Sequence, residues 1–244
     1  MPPEKVAGKD MAILFVCAMC GVGINQYLFV LGLKSSSPVD ASIIATNVPI
    51  FVMLLAAIVL KEPVTAKKAS GVMLGVCGGL LLVFSYNHGD TGNCSLYGDM
   101  LMLINQLMYS LYLVLLRPLS SRYSSVTNMK WMFLFSTIVL MPFCIGSLAD
   151  VPTFHKATFS WAQAGALFYL LFFVTYLAFM LITMSLKALR PTVVSMYNYV
   201  QPIVASVIAI AIGQDTFSIT KLGSLLLVFV GVYFVTTSRS KQEP

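Results

Sequence analysis

Eight apolar runs, separated by short polar turns, set the pattern of this chain. They cover residues 11–33, 39–60, 69–86, 97–116, 127–149, 162–186, 192–212 and 219–238. A helix that crosses a bilayer core needs about 20 apolar residues and rarely fewer than about 17. Each run is therefore predicted to cross a membrane, with 69–86 the shortest. The runs are continuous rather than alternating, which excludes the strands of a membrane β-barrel. Pro38, Pro63, Pro118, Pro191 and Gly213 sit in the turns and are predicted to stop helices there, because proline lacks an amide proton and restricts the residue before it. Turns this short force successive helices to run antiparallel. The predicted fold is all-α, a polytopic membrane bundle of eight transmembrane helices.

Composition sharpens this picture. Hydrophobic residues make up 58% of the 244 and charged residues 10%, where soluble domains average about 25% charged. A soluble surface made from this composition would be one apolar patch. The lipid bilayer is thus the first predicted partner.

The net charge of +6 would suggest nucleic acid in a soluble protein. Here the basic residues lie in the turns, with no basic stripe among aromatics, so no nucleic-acid partner is predicted. Twelve of the fifteen Lys and Arg fall on the side that holds both termini and the turns after the second, fourth and sixth runs; Lys34, Lys156 and Lys221 fall on the other. The basic side faces the cytoplasm. Both termini are predicted to be cytoplasmic in a multi-pass protein of the cell inner (cytoplasmic) membrane. Run 11–33 is too long for the apolar part of a cleaved signal.

The five cysteines and two histidines suggest no catalytic or metal chemistry. Cys17 and Cys20 have CxxC spacing but stand inside an apolar run without a second pair, so packing is the expected use. His88 and His155 lie in outward loops, with no nucleophile, base or metal-ligand arrangement around them. The expectation is no enzyme, no metal and no cofactor.

An internal repeat organises the runs. Residues 33–38 resemble 186–191, and the same offset of 153 carries Ser42 onto Ser195, Pro49 onto Pro202 and Glu62 onto Asp215. One residue less carries Gly71 onto Gly223 and Gly79 onto Gly231. The two copies start on opposite sides of the membrane, so the repeat is inverted, a construction typical of secondary transporters. The expected division is residues 1–86, a first repeat of three helices, and residues 97–238, a second of five.

Lys61-Glu62-Pro63 follows a helix containing Pro49 and precedes Gly71 and Gly79. Gly98-Asp99 opens a run that ends in Leu116-Arg117-Pro118. In this order the motifs resemble the EamA-type branch of the drug/metabolite transporter superfamily, over nearly the whole chain. The resemblance implies ten helices in two inverted halves of five. It therefore implies that two helices ahead of the first run are absent here, with residues 1–10 a fitting cytoplasmic link to them. It also implies export of amino acids, their derivatives or drug-like compounds by alternating access. A non-transporting membrane scaffold or an inactive truncated fragment is the alternative.

The candidate chemistry consists of amides and phenols, because no Asp, Glu, Lys or Arg falls near the middle of a run. Asn25, Gln26, Asn47, Asn105, Tyr109, Tyr112, Asn198 and Gln201 are predicted to bind a small-molecule solute, since a polar side chain facing lipid would leave its hydrogen-bonding groups unpaired. Asn105, Tyr109 and Tyr112 share one helical face. Pro49 and Pro202 are predicted helix kinks that free backbone carbonyls beside Asn47 and Gln201. The competing reading is interhelical hydrogen bonding, worth about 0.6–2 kcal/mol per contact. Glu62 and Asp215 are expected to cap helix ends or close a gate-side network. Gly71, Gly75, Gly79, Gly223 and Gly231 form small-residue stripes expected to pack helices closely, and a homodimer is the other use such a stripe allows.

Overall fold

In a computed structural model, residues 4–36, 44–84, 96–148, 160–200, 204 and 219–238 are described. Every regular element among them is helical. We label them α1 (Gly8–Ser35), α2 (Val48–Val59), α3 (Ala66–Phe84), α4 (Leu96–Arg122), α5 (Ser125–Leu148), α6 (Trp161–Ala188), α7 (Pro191–Met196) and α8 (Ile219–Thr236). Each falls on one of the eight predicted runs. Among the described residues, four helices are long and apolar enough to cross a membrane: α1, α4, α5 as far as Gly146, and α6. Most of the seventh run lies outside the described residues.

The structure alters two local expectations. Arg117-Pro118 does not end its helix: α4 continues through Pro118 to Arg122. Proline removes one backbone bond, and the buried Leu116 and Leu119 on either side hold the chain helical. Pro142 is likewise inside α5. Pro49, in turn, stands in the first turn of α2, after a break at Thr46 and Asn47. There its missing amide costs nothing and its fixed φ suits the helix start.

The chain divides into two compact units, residues 1–24 with 115–188 and residues 25–114 with 189–244. In the first unit α5 packs along the opening half of α1. Ser136 Oγ donates to the Ala18 carbonyl at 3.0 Å, and Phe15 meets Phe135 edge to face with centroids 5.6 Å apart. Leu14, Cys17 and Ala18 are buried. The basic-side ends meet: Tyr123 Oη donates to Asp10 Oδ2 at 2.8 Å, and the Arg117 guanidinium donates to the carbonyls of Leu186 and Lys187 at the end of α6. Those are the ends that the alternating topology puts on one side.

In the second unit the core gathers α2, α3, α7 and α8 around Met53, Val72, Val76, Met196, Tyr199 and Val228. Glycines let α3 and α8 approach to backbone contact. A Cβ on Gly71 would lie 2.7 Å from the Gly231 carbonyl oxygen, and one on Gly231 would lie 2.6 Å from that of Gly71. Gly78 meets the Ser224 carbonyl, and Gly75 faces the Tyr199 ring. Gly71, Gly75 and Gly78 thus meet neighbours within the chain. Gly223 has open space around it, and the surroundings of Gly79 lie outside the described side chains. At the opposite ends of α1 and α4, Ser36 Oγ donates to Asp99 Oδ1 at 2.6 Å.

The helix bounds follow the offset between the two stretches. Displaced by 153, α1 gives residues 161–188, the bounds of α6. Both helices relax into a wider π turn at corresponding places, Met19–Gly23 and Leu170–Leu177. Displaced by 152, α3 gives 218–236, one residue more than α8. The compact units cut across residues 1–86 and 97–238, because each unit draws helices from both.

Candidate solute site

Seven of the eight candidate solute residues, all but Gln201, belong to the second unit. Two interrupted helices place the first group. Residues 44 and 45 are helical, Thr46 and Asn47 form a turn, and α2 then starts at Val48. In the partner copy α7 gives way to a 3₁₀ turn over Tyr197–Tyr199. Tyr199 Oη donates to the carbonyl of Thr46 at 2.7 Å. These two residues are 153 apart, so the bond joins equivalent positions of the two repeats at their breaks. The Tyr199 ring rests on Gly75 of α3. Asn47 Nδ2 donates to the Ile44 carbonyl at 3.4 Å, and both Asn47 and Asn198 are half-buried. Non-helical backbone at membrane depth is tolerated where protein or water satisfies it, and here a tyrosine hydroxyl and an asparagine amide do so. Gln201 and Pro202 lie outside the described residues.

The second group joins α1 to α4. Asn25 Nδ2 donates to the Asn105 carbonyl at 3.0 Å, and Asn105 Nδ2 donates to the Asn25 carbonyl at 2.6 Å. Both residues are buried. Asn25 follows the π turn of α1, so a reciprocal side-chain bond reinforces the helix just beyond its irregular stretch. Gln26, next in sequence, is exposed. The rings of Tyr109 and Tyr112 lie 5.9 Å apart, the first half-buried and the second fully buried. The structure thus ties Asn25 to Asn105 and sets Tyr109 beside Tyr112. It places Asn47 and Asn198 at the helix breaks. The Tyr199–Thr46 bond is the feature that residue types alone did not single out; the shared offset was its one signal.

A charged pair closes the turn after α2. Lys68 is only 3% exposed, and its Nζ lies 2.7 Å from Glu62 Oε2. The carboxylate offsets part of the desolvation cost that the buried ammonium carries, and removing either partner would leave an uncompensated buried charge. Lys61 turns the chain with φ 54°, a left-handed conformation costly for a residue with a side chain. The Glu62 amide then donates back to the Ala56 carbonyl at 3.2 Å. The Lys61-Glu62-Pro63 motif is therefore a strained helix terminus locked by an ion pair.

The model of the EamA-like transporter family matches residues 2–84 and 96–237. The chain belongs to that family. It is 27% identical over 237 residues to an uncharacterised transporter of Archaeoglobus fulgidus, covering 96% of this chain and 79% of that protein. It is 24% identical to the uncharacterised transporter YetK of Bacillus subtilis, covering 96% and 70%, and 21% identical to a WAT1-related protein of Arabidopsis thaliana, covering 94% and 73%. A solved crystal structure shares the fold with a TM-score of 0.72 at 16% identity, covering 92% of this chain and 78% of that one. The protein is a multi-pass membrane transporter of the EamA-like family, a setting that implies a small-molecule solute and a lipid environment.

Proposed function

We propose that the protein carries small polar or amphipathic metabolites, such as amino acids, their derivatives or drug-like compounds, out of the cell by alternating access. The reading rests on the bond from Tyr199 to Thr46, which joins two broken helices at equivalent repeat positions, with Asn47 and Asn198 alongside. Inverted repeats give inward- and outward-open states of similar energy, and their discontinuous helices supply polar groups near the midplane. In this scheme Asn47, Asn198 and Tyr109 touch the solute, together with Gln26 and Gln201. The Asn25–Asn105 pair and Tyr112 form the wall behind them. The site is neutral, which suits a zwitterion or a weakly polar organic molecule. The protein sits in the inner (cytoplasmic) membrane with both termini in the cytoplasm, and residues 1–86 and 97–238 act as the moving repeats.

The test is solute flux with the purified chain in proteoliposomes, screened with amino acids, their derivatives and drug-like amphiphiles. Asn47→Ala with Asn198→Ala should abolish flux while membrane insertion stays intact. Unchanged flux in that double variant rejects the site.

A further inference from the structure

At one corner of the first unit, four buried polar atoms have no hydrogen-bond partner among the described residues. They are Ser120 Oγ near the end of α4, Ser125 Oγ at the start of α5, and both Nδ2 and Oδ1 of Asn128. All three residues are buried. Only Tyr123 and Ser124 separate the two helices. Ser125 and Asn128, three residues apart, are neighbours on one face of α5. Buried hydroxyls elsewhere reach a carbonyl: Ser136 donates to Ala18, Ser110 to Gln106 and Thr183 to Phe179. A buried amide that meets nothing forfeits the hydrogen bonds it makes in water. Concentrated within residues 120–128, that loss calls for a partner from outside the chain.

We propose that this corner is an interior binding site for water. The chemistry of the four atoms selects the ligand. Asn128 Nδ2 only donates and its Oδ1 only accepts, while a serine hydroxyl does either. Water answers both kinds of atom, and a buried water makes about three such bonds. A cation would face the Asn128 amide protons and the positive end of the α5 dipole. An anion would face Asn128 Oδ1, and at that helix end the Ser124 amide already donates to the Glu4 carboxylate. None of these residues is a candidate solute residue, so the site stands apart from the proposed transport and is tested without it.

Methionines supply the reporter. Met129 is four residues on from Ser125 and Met132 four on from Asn128, so each lies beside its polar neighbour on the helix surface. They are 4% and 2% exposed, and Met102 of α4, 1% exposed and set against Gly32, is the dry control. Brief, intense X-ray pulses split water into hydroxyl radicals, which oxidise a thioether they touch. In the full chain in detergent, Met129 and Met132 should oxidise about tenfold faster than Met102, because bound water makes the radical in place while buried sulfur is closed to bulk radicals. Asn128→Leu removes both amide atoms at similar volume and should slow Met132 to the Met102 rate; Met102 staying slow shows that the variant is folded. Should the variant unfold, the three rates in the parent chain decide. Equal rates there overturn the proposal, because the corner is then dry. Fast oxidation of Met132 that survives Asn128→Leu in the folded variant also overturns it, because Asn128 then holds no water.

Discussion

Helices α1 and α6 share a length, an offset and a π turn, yet their surroundings are opposite. The first half of α1 lies under α5, and its distorted stretch is braced from outside: Ser136 of α5 bonds the Ala18 carbonyl at 3.0 Å. In α6 the brace is internal, with Thr175 Oγ1 donating to the Leu170 carbonyl of the same helix at 3.0 Å. Its aromatic side chains stack on one another, Phe168 on Phe172 and Tyr169 on Phe173. Residue size follows: Ala18, Cys20 and Gly21 in α1 stand where α6 has Leu171, Phe173 and Val174. A repeat therefore conserves backbone shape while side-chain volume adapts to whatever covers it.

The largest effect should come from a pair that extends this contrast to α3 and α8. Gly71 and Gly223 are repeat equivalents, yet a Cβ meets the Gly231 backbone oxygen at 2.7 Å in one case and nothing within 4 Å in the other. Gly71→Ala must push two helices apart and should cost about 3 kcal/mol, near the upper end for overpacking. Gly223→Ala should stay within about 0.5 kcal/mol. Thermal unfolding in detergent measures both, and equal shifts would erase the distinction between covered and open repeat positions.

Exchange between α1 and α6 is the next test. Ala18→Leu installs the α6 residue on the face under α5, where Ala18 is fully buried; it should destabilise by about 2 kcal/mol through overpacking. Leu171→Ala removes volume from an exposed site and should change stability by less than about 0.5 kcal/mol. A similar loss from both substitutions would mean that α6 is covered.

Asn25→Ala follows. It deletes the amide that donates to the Asn105 carbonyl and keeps the backbone carbonyl that accepts from Asn105 Nδ2, for a cost of about 1 kcal/mol. Its repeat equivalent is Ala178, so Ala178→Asn asks whether α6 can use the same bond. Without a facing partner, that variant should be no more stable than the parent.

The places of the described helices were legible in the sequence, because a bilayer demands long apolar runs, and offsets of 153 and 152 leave matched prolines and glycines. The packing was not. Hydropathy reports that a run is apolar and not which of its faces meets protein, so α1 and α6 read alike although one is covered and one is bare. Pro118 reads as a stop in the sequence because the buried flanks that keep α4 helical, Leu116 and Leu119, are a tertiary effect. Asn25 and Asn105 were visible as polar residues in apolar runs, but their mutual pairing depends on two helices 80 residues apart in sequence meeting at one level. The stripe of Gly71, Gly75 and Gly231 was legible as close packing. Gly223 shares the residue type and lacks the neighbour.

The smallest effect concerns how each helix begins. Ahead of α1, Glu4 Oε2 accepts from the Ser124 amide at 3.0 Å, and the Ala7 amide donates to Tyr123 Oη at 3.2 Å, so residues 4–10 are strapped to the turn before α5. The Ser124 amide bond, followed by the Thr127 hydroxyl, holds the Glu4 carboxyl below its ordinary value of 4.5. A carboxyl whose folded value is depressed stabilises the strap above the unfolded value and loses that contribution as pH falls through the folded one. The strap should therefore stay closed at neutral pH and open only below about 4.5, with Glu4 fully exposed and the effect correspondingly small. Amide exchange at residues 4–10 between pH 6 and pH 3.5 reads it, at rates corrected for the intrinsic pH dependence of exchange. Glu4→Gln should flatten the change and leave α6 untouched. A variant with the parent's pH profile would show that Asp10 and Tyr123, rather than Glu4, anchor the start of α1.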